Sequence, residues 1–170
     1  NTPQWFIAMD KPFQVHPSDA SGKPDASGFI AMDKAAKELG NKSLRDVAFR
    51  CSLLMAAEVK DCQIQVRQLR ASTSATKATF YSLGFAGDRE SLKLAKTIAG
   101  QPELIRAFPL PRAYRADEWL PIELRAVGAD ITVSAEGKVL GTVHDATIPA
   151  AGDLVVWSRT TCYFRDIEYV

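Results

Sequence analysis

The chain has 170 residues, 46% of them apolar and 24% charged, with a formal net charge of +1. That is enough chain for one sizeable core in an ordinary soluble composition, and its near-neutral balance gives no electrostatic footprint for nucleic acid. No apolar run approaches the roughly 20 residues of a membrane span, so no membrane insertion is expected of this segment.

Residues 1–43 read as an irregular N-terminal segment and residues 44–170 as the folded core, within one domain spanning 1–170. The chain opens on Asn1 rather than Met, which points to a removed leading segment and a larger parent polypeptide. "PSDASGKPDASG" (17–28) carries Asp-Ala-Ser-Gly twice and reads as a loop. "FIAMDK" occurs at 6–11 and again at 29–34. The two copies are expected to be similar strand ends flanking that loop, since a solenoid needs at least three repeats. After the second copy, Asp33 is placed to N-cap one or two helical turns that Gly40 ends.

From Leu44 the apolar period becomes two. Val47, Phe49, Cys51 and Leu53 fall on one face, with Ala48, Arg50 and Ser52 on the other. Ile64 and Val66 alternate with Gln63, Gln65 and Arg67, and Tyr81, Leu83 and Phe85 run in phase. Residues 88–100 carry both helical and strand spacing, and the strand reading is adopted. Ile122, Leu124 and Ala126 alternate with Glu123 and Arg125, and "DITVSAEGKVLGTV" reads as a hairpin around Glu136-Gly137. Phe164 and Ile167 are three apart, so either Phe164 faces the other side or a bulge near Arg165-Asp166 re-phases the last strand. Many short alternating strands argue for an all-β antiparallel sandwich with one wet face per sheet.

The order of these elements resembles the concanavalin A-like jelly-roll domains of the 3-keto-disaccharide hydrolase family. Trp119, Gly128, Ile131, Val133, Gly137, Asp145, Gly152, Phe164, Arg165 and Ile167 match that family's pattern in order, over roughly residues 44–170. These are strand and turn residues, so the resemblance speaks to fold more than to activity. It implies a bacterial, extracytoplasmic setting, because such domains are appended to secreted glycosidases, sulfatases and protein kinases. Trp119 is expected to be largely buried, and Asp145 to fix a loop as Asx residues do.

Chemistry is harder to place. The three cysteines, Cys51, Cys62 and Cys162, read as buried thiols, with Cys51 and Cys62 staggered if their strands form a hairpin. No tight Cys/His cluster suits a metal; calcium through Asp19, Asp25 and Asp33 is conceivable but not favoured, and no cofactor is expected. Glycoside hydrolysis needs two carboxyl groups on one site. The Glu-x-Asp-x-x-Glu string of laminarinase-type relatives is absent, and the acidic groups Asp88/Glu90, Asp117/Glu118 and Glu58/Asp61 sit in turn-like sequence. His16 and His144 lack a G-x-S-x-G elbow, so the catalytic residues are unknown. Sugar recognition instead uses planar polar forks and an aromatic platform. Arg50, Gln65 and Arg67 are expected to share the concave face of one sheet, with Tyr81, Trp157 or Tyr163 supplying the aromatic. The leading reading is therefore a non-catalytic carbohydrate-recognition or accessory domain with a carbohydrate ligand. A 3-keto-disaccharide hydrolase and a protein-interaction module on a signalling protein such as a kinase remain the alternatives.

Overall fold

The computed structural model describes residues 4–9, 13–15, 29–31, 44–55, 62–69, 78–85, 88–115, 118–158 and 162–170. The expected loop at 17–28, the short helix at 33–40, His16, the aspartates 19, 25 and 33, and the Glu58/Asp61 and Asp117 positions lie outside them. Strands are β1 (Phe6–Met9), β2 (Phe13–Val15), β3 (Phe29–Ala31), β4 (Val47–Met55), β5 (Cys62–Leu69), β6 (Thr79–Phe85) and β7 (Ser91–Ile98). They continue with β8 (Gln101–Pro109), β9 (Leu120–Val127), β10 (Asp130–Ala135), β11 (Lys138–His144), β12 (Asp153–Ser158) and β13 (Cys162–Tyr169).

These strands form two antiparallel sheets. Sheet A runs β1-β13-β4-β9-β10-β11, with β2 also pairing β13; sheet B runs β3-β12-β5-β6-β7-β8. The alternating apolar residues of both sheets meet in one core. Phe49, Leu53, Leu124, Ile131 and Phe164 come from sheet A, and Ile64, Tyr81, Leu83, Leu94 and Val156 from sheet B. The two FIAMDK copies do begin as strands. They go to different sheets, β1 against β13 and β3 against β12.

Turn chemistry sets the hairpins. Glu136 and Gly137 both have positive φ (53° and 77°), the mirror-image turn whose twist suits a two-residue β-hairpin. Ala99 and Gly100 repeat it between β7 and β8. So 88–100 is a strand and its turn, as expected. Strand β8 itself has no counterpart in the sequence reading. Its Pro102 and Pro109 argue against a strand, but β8 is an edge that pairs only with β7, and edges tolerate proline.

The C-terminal phase problem is solved by a bulge. The β13–β4 register shifts between Arg165 and Glu168, and Asp166 has φ 53°. The extra residue lets Phe164 and Ile167 both enter the core while Arg165, Asp166 and Glu168 remain accessible.

Two expectations fail here. Strands β4 and β5 are not a hairpin; they lie in opposite sheets, because alternation fixes the phase of a strand and not its partner. Nor are all three cysteines thiols. Cys62 on β5 and Cys162 on β13 are joined in a disulfide across the core, with Cα atoms 6.9 Å apart at a sequence separation of 100. Cys51 remains a free, buried thiol, its ionisation suppressed first by burial and then by Asp166.

Candidate functional site

The five residues expected to bind ligand do not form one site. Arg67 lies on β5 at a register shift between Val66 and Leu69, with φ 51°. The bulge turns its side chain inward, where it is 1% exposed. Its guanidinium donates to three backbone carbonyls: Nε to Arg45 (2.7 Å), Nη1 to Ile148 (2.9 Å) and Nη2 to Gly128 (2.8 Å). Gly152 is required there, since a Cβ would come within 2.5 Å of the Arg67 backbone. Burial lowers the Arg67 pKa, opposed by Tyr81 and Asp46. Arg67 is thus a clamp on three loops and faces no ligand.

Tyr81 is also internal. Its hydroxyl donates to Asp145 Oδ1 at 2.6 Å and accepts from the Ile148 N–H at 3.2 Å. Asp145 further accepts from Lys96 Nζ (2.8 Å) and the Thr147 N–H (3.0 Å). Burial alone would raise the Asp145 carboxyl, but hydrogen bonds from Lys96, Thr147 and Tyr81 hold it well below the usual carboxylate range. Asp145 therefore fixes its loop, as its Asx character suggested.

Gln65 and Trp157 do share a face, the side of sheet B turned away from the core. Gln65 pairs across to Ser82 and Val155, and Trp157 to Gln63. Gln65 is 3% exposed and its Oε1 accepts from Gln68 Nε2 at 2.7 Å, so it is occupied; Trp157 is half-buried. The outward positions of β5 and β6 are Gln63, Gln65, Phe80, Ser82 and Gly84, without a carboxylate. Elsewhere Asp88 is pulled down to about 2 by Lys93 and the Glu90 N–H, and exposed His144 pairs with Asp130. Trp119 is half-buried beneath the Arg165 guanidinium, 4.1 Å from its ring centroid, rather than enclosed.

Arg50 stands on the outer face of sheet A, beside a groove that a ligand can enter. The strand registers lay out a row: Glu168 on β13 opposite Arg50 on β4, Arg50 opposite Glu123 on β9, Glu123 opposite Ser134 on β10. The Arg50 guanidinium stacks on Trp5, 3.6 Å from the ring centroid, and donates from Nε (2.9 Å) and Nη2 to Glu168 Oε2. It is therefore a fork held in place, with Nη1 making no hydrogen bond among the described residues. A groove of about 400 Å³ runs over this row, lined also by Ser52, Asp166 and Val139.

Ser52 and Ser134 are 7% and 8% exposed, and neither hydroxyl has a partner among the described residues. Both serines line the groove, and their hydroxyls can donate to or accept from a group that enters it. The outward phase of Ser52 and Glu123 was readable in the alternation. Trp5 was not, because it precedes the patterned part of the chain, and Asp166 and Glu168 depended on where the bulge fell. Among the described residues no group of three or more His, Cys, Asp or Glu side chains is arranged for a metal ion. Among the described residues no helix is long and apolar enough to cross a membrane.

The architecture is that of known jelly-roll proteins. The carbohydrate-binding module CBM66 from Bacillus subtilis superposes with a TM-score of 0.60 at 15% identity, covering 96% of this chain and 92% of that one. A Bacillus licheniformis β-glucanase gives 0.58 at 11% identity, over 75% of this chain and 67% of that one. The Caenorhabditis elegans galectin LEC-6 gives 0.55 at 12% identity, over 98% and 95%. No family model matches the chain, and no curated protein matches it in sequence. The chain therefore has a concanavalin A-like jelly-roll fold, which at these identities fixes architecture alone.

Proposed function

We propose that this chain is a carbohydrate-recognition β-sandwich that binds sugar on the outer face of sheet A and does not hydrolyse it. The observation that carries this reading is the row Glu168–Arg50–Glu123 with Trp5 stacked on its central guanidinium and the Ser52 and Ser134 side chains lining the groove beside it. Adjacent sugar hydroxyls both donate and accept, which a guanidinium fork, carboxylates and serines satisfy together, while an indole offers a face to C–H groups. Similarity to a carbohydrate-binding module and a galectin agrees with this reading.

Non-catalytic binding is favoured by the same row. Glycosidases need one carboxyl as proton donor and another as nucleophile or base. Glu168 accepts two N–H bonds from Arg50 through one oxygen, which is the role of a fixed acceptor and not of a proton donor. The Cys62–Cys162 bridge supports an extracytoplasmic home, since disulfides persist in oxidising compartments. We place the chain there as an accessory unit of a larger polypeptide.

Calorimetric titration with a panel of neutral oligosaccharides, with product analysis of each mixture, tests the reading. Weak saturable binding that Arg50→Ala abolishes, with no new sugar products, is expected. Turnover of a 3-keto-glucoside lost on Glu123→Gln or Glu168→Gln would replace it with the hydrolase reading.

A further inference from the structure

The groove has a direction. Strand pairing carries one row straight across sheet A: Ile7 on β1, Glu168 on β13, Arg50 on β4, Glu123 on β9, Ser134 on β10 and Val139 on β11. The last five of these line the groove, so it crosses the strands instead of following one of them. Five strands about 4.8 Å apart give it a length of roughly 19 Å. The row starts on one edge strand of the sheet and ends on the other. Its two ends are the most exposed large apolar side chains among the described residues, Ile7 (62%) and Val139 (67%). Its middle is polar and balanced in charge. Glu168 is matched by Arg50, Glu123 by Arg125 at 3.4 Å, and Asp166 beside the row by Arg165 at 3.6 Å.

Taking the groove as a sugar site, we infer that it holds an internal run of about four to five units of an uncharged linear glycan, laid across the strands. A hexose repeat is close in length to the strand spacing, so a chain on this path meets about one strand per unit. A single sugar or a dimer covers only part of the row. Central units meet the guanidinium fork, the carboxylates and Ser134, which together donate and accept as sugar hydroxyls require. Outer units rest C–H faces on Ile7 and Val139, where burial of apolar surface is favourable without demanding a direction. Because each carboxylate is matched by an arginine, the groove offers a charged glycan no unpaired partner for the hydration it gives up. The row reaches both edges of the sheet, so a chain lying along it continues past either end and recognition needs no chain terminus.

The test is calorimetry on the full chain with glucan, mannan and xylan oligomers of two, five and eight units. In a series that binds, the pentamer is expected to bind at least about tenfold more tightly than the dimer, and the octamer about as tightly as the pentamer. Reducing the terminal sugar is expected to leave the pentamer's affinity unchanged. Added salt is expected to move it by less than about twofold, since a neutral ligand has no charge to screen. Val139→Asp and Ile7→Asp should each remove much of the gain with length. Both side chains are exposed on edge strands, and an unchanged thermal midpoint confirms that each variant is folded. A dimer that binds as tightly as the octamer, with Arg50→Ala abolishing both, overturns the extended path and leaves the carbohydrate reading standing. A gain with length that neither variant touches, or binding lost on reducing the terminal sugar, overturns it likewise. Absence of binding in all three series defeats the carbohydrate reading itself.

Discussion

Arg50 and Arg67 occupy equivalent-looking positions in the sequence, each a polar residue between apolar neighbours of a strand, and the fold puts them to opposite uses. Arg67 is enclosed at one end of the sandwich with its donors directed at three carbonyls from three loops. Arg50 lies on an outer face, 41% exposed in its side chain, braced by Glu168 and Trp5 and open to a groove. A guanidinium whose hydrogen bonds all go to backbone carbonyls, with Asp46 3.7 Å away, is structure; one whose partners are a carboxylate and an indole, with a donor to spare beside groove-lining hydroxyls, can serve a ligand. The difference originates in one residue of bulge, since a regular β5 would have pointed Arg67 away from the core.

That contrast can be broken from the Arg67 side first. Arg67→Ala removes three charge-assisted hydrogen bonds and strands their carbonyls, so a loss on the order of 4–5 kcal/mol is expected, seen as a large fall in the urea midpoint. Arg67→Lys should not restore it, because an ammonium cannot span three carbonyls in a plane. A folded Arg67→Ala protein that merely failed to bind sugar would show the two arginines to be alike after all.

Next in size is the disulfide between the sheets. Closing a loop of this length stabilises by about 4–5 kcal/mol in the chain-entropy account, with about 2–5 kcal/mol typical on removal. Reduction, or Cys62→Ala with Cys162→Ala, should lower the midpoint accordingly while leaving Cys51 unreactive to thiol reagents in the folded state.

The cluster beside Arg67 predicts a pH dependence. Asp145 has a carboxyl depressed by Lys96, Thr147 and Tyr81, so its contribution is complete above the unfolded value of about 3.9 and is lost as pH falls through the lower folded value. Asp88, at about 2, acts in the same direction over the same window. Stability should therefore drop steeply below about pH 4. Asp145→Asn should cost on the order of 3 kcal/mol at neutral pH and flatten that acid slope, both read from urea titrations at several pH values. A variant with the parental slope would remove Asp145 from the account.

The smallest stability effect belongs to the groove. Arg50→Ala breaks a partly exposed ion pair and should cost no more than about 1 kcal/mol, while sugar affinity falls by tenfold or more. Trp119→Ala is intermediate, below the roughly 3–5 kcal/mol of an enclosed indole, because the ring is half-covered by Arg165.

Much of this architecture was legible in the chain. Alternation placed Val47, Phe49, Leu53, Tyr81, Leu83, Ile122 and Leu124 in the core, and Glu136-Gly137 announced its hairpin. The three-residue spacing of Phe164 and Ile167 marked an irregularity, with a bulge as one of its two explanations, and Asp145 announced its loop. What period two cannot carry is pairing. It could not place β4 and β5 in different sheets, bring Cys62 to Cys162, or bring Glu168 and Glu123 to either side of Arg50. Nor does it register a bulge inside a polar stretch such as Gln65-Val66-Arg67-Gln68, where no misplaced apolar residue betrays the slip. The groove is built from such pairings, with Trp5 arriving from outside the patterned region.

The most direct test is to map a bound oligosaccharide by backbone amide shifts in a two-dimensional NMR titration. Perturbations clustered on β4, β9 and β13 around Arg50, Glu123 and Glu168, and absent in Arg50→Ala, are predicted. Perturbations confined to β5, β6 and β12 around Gln63 and Trp157 would place the sugar on the opposite sheet and contradict the account.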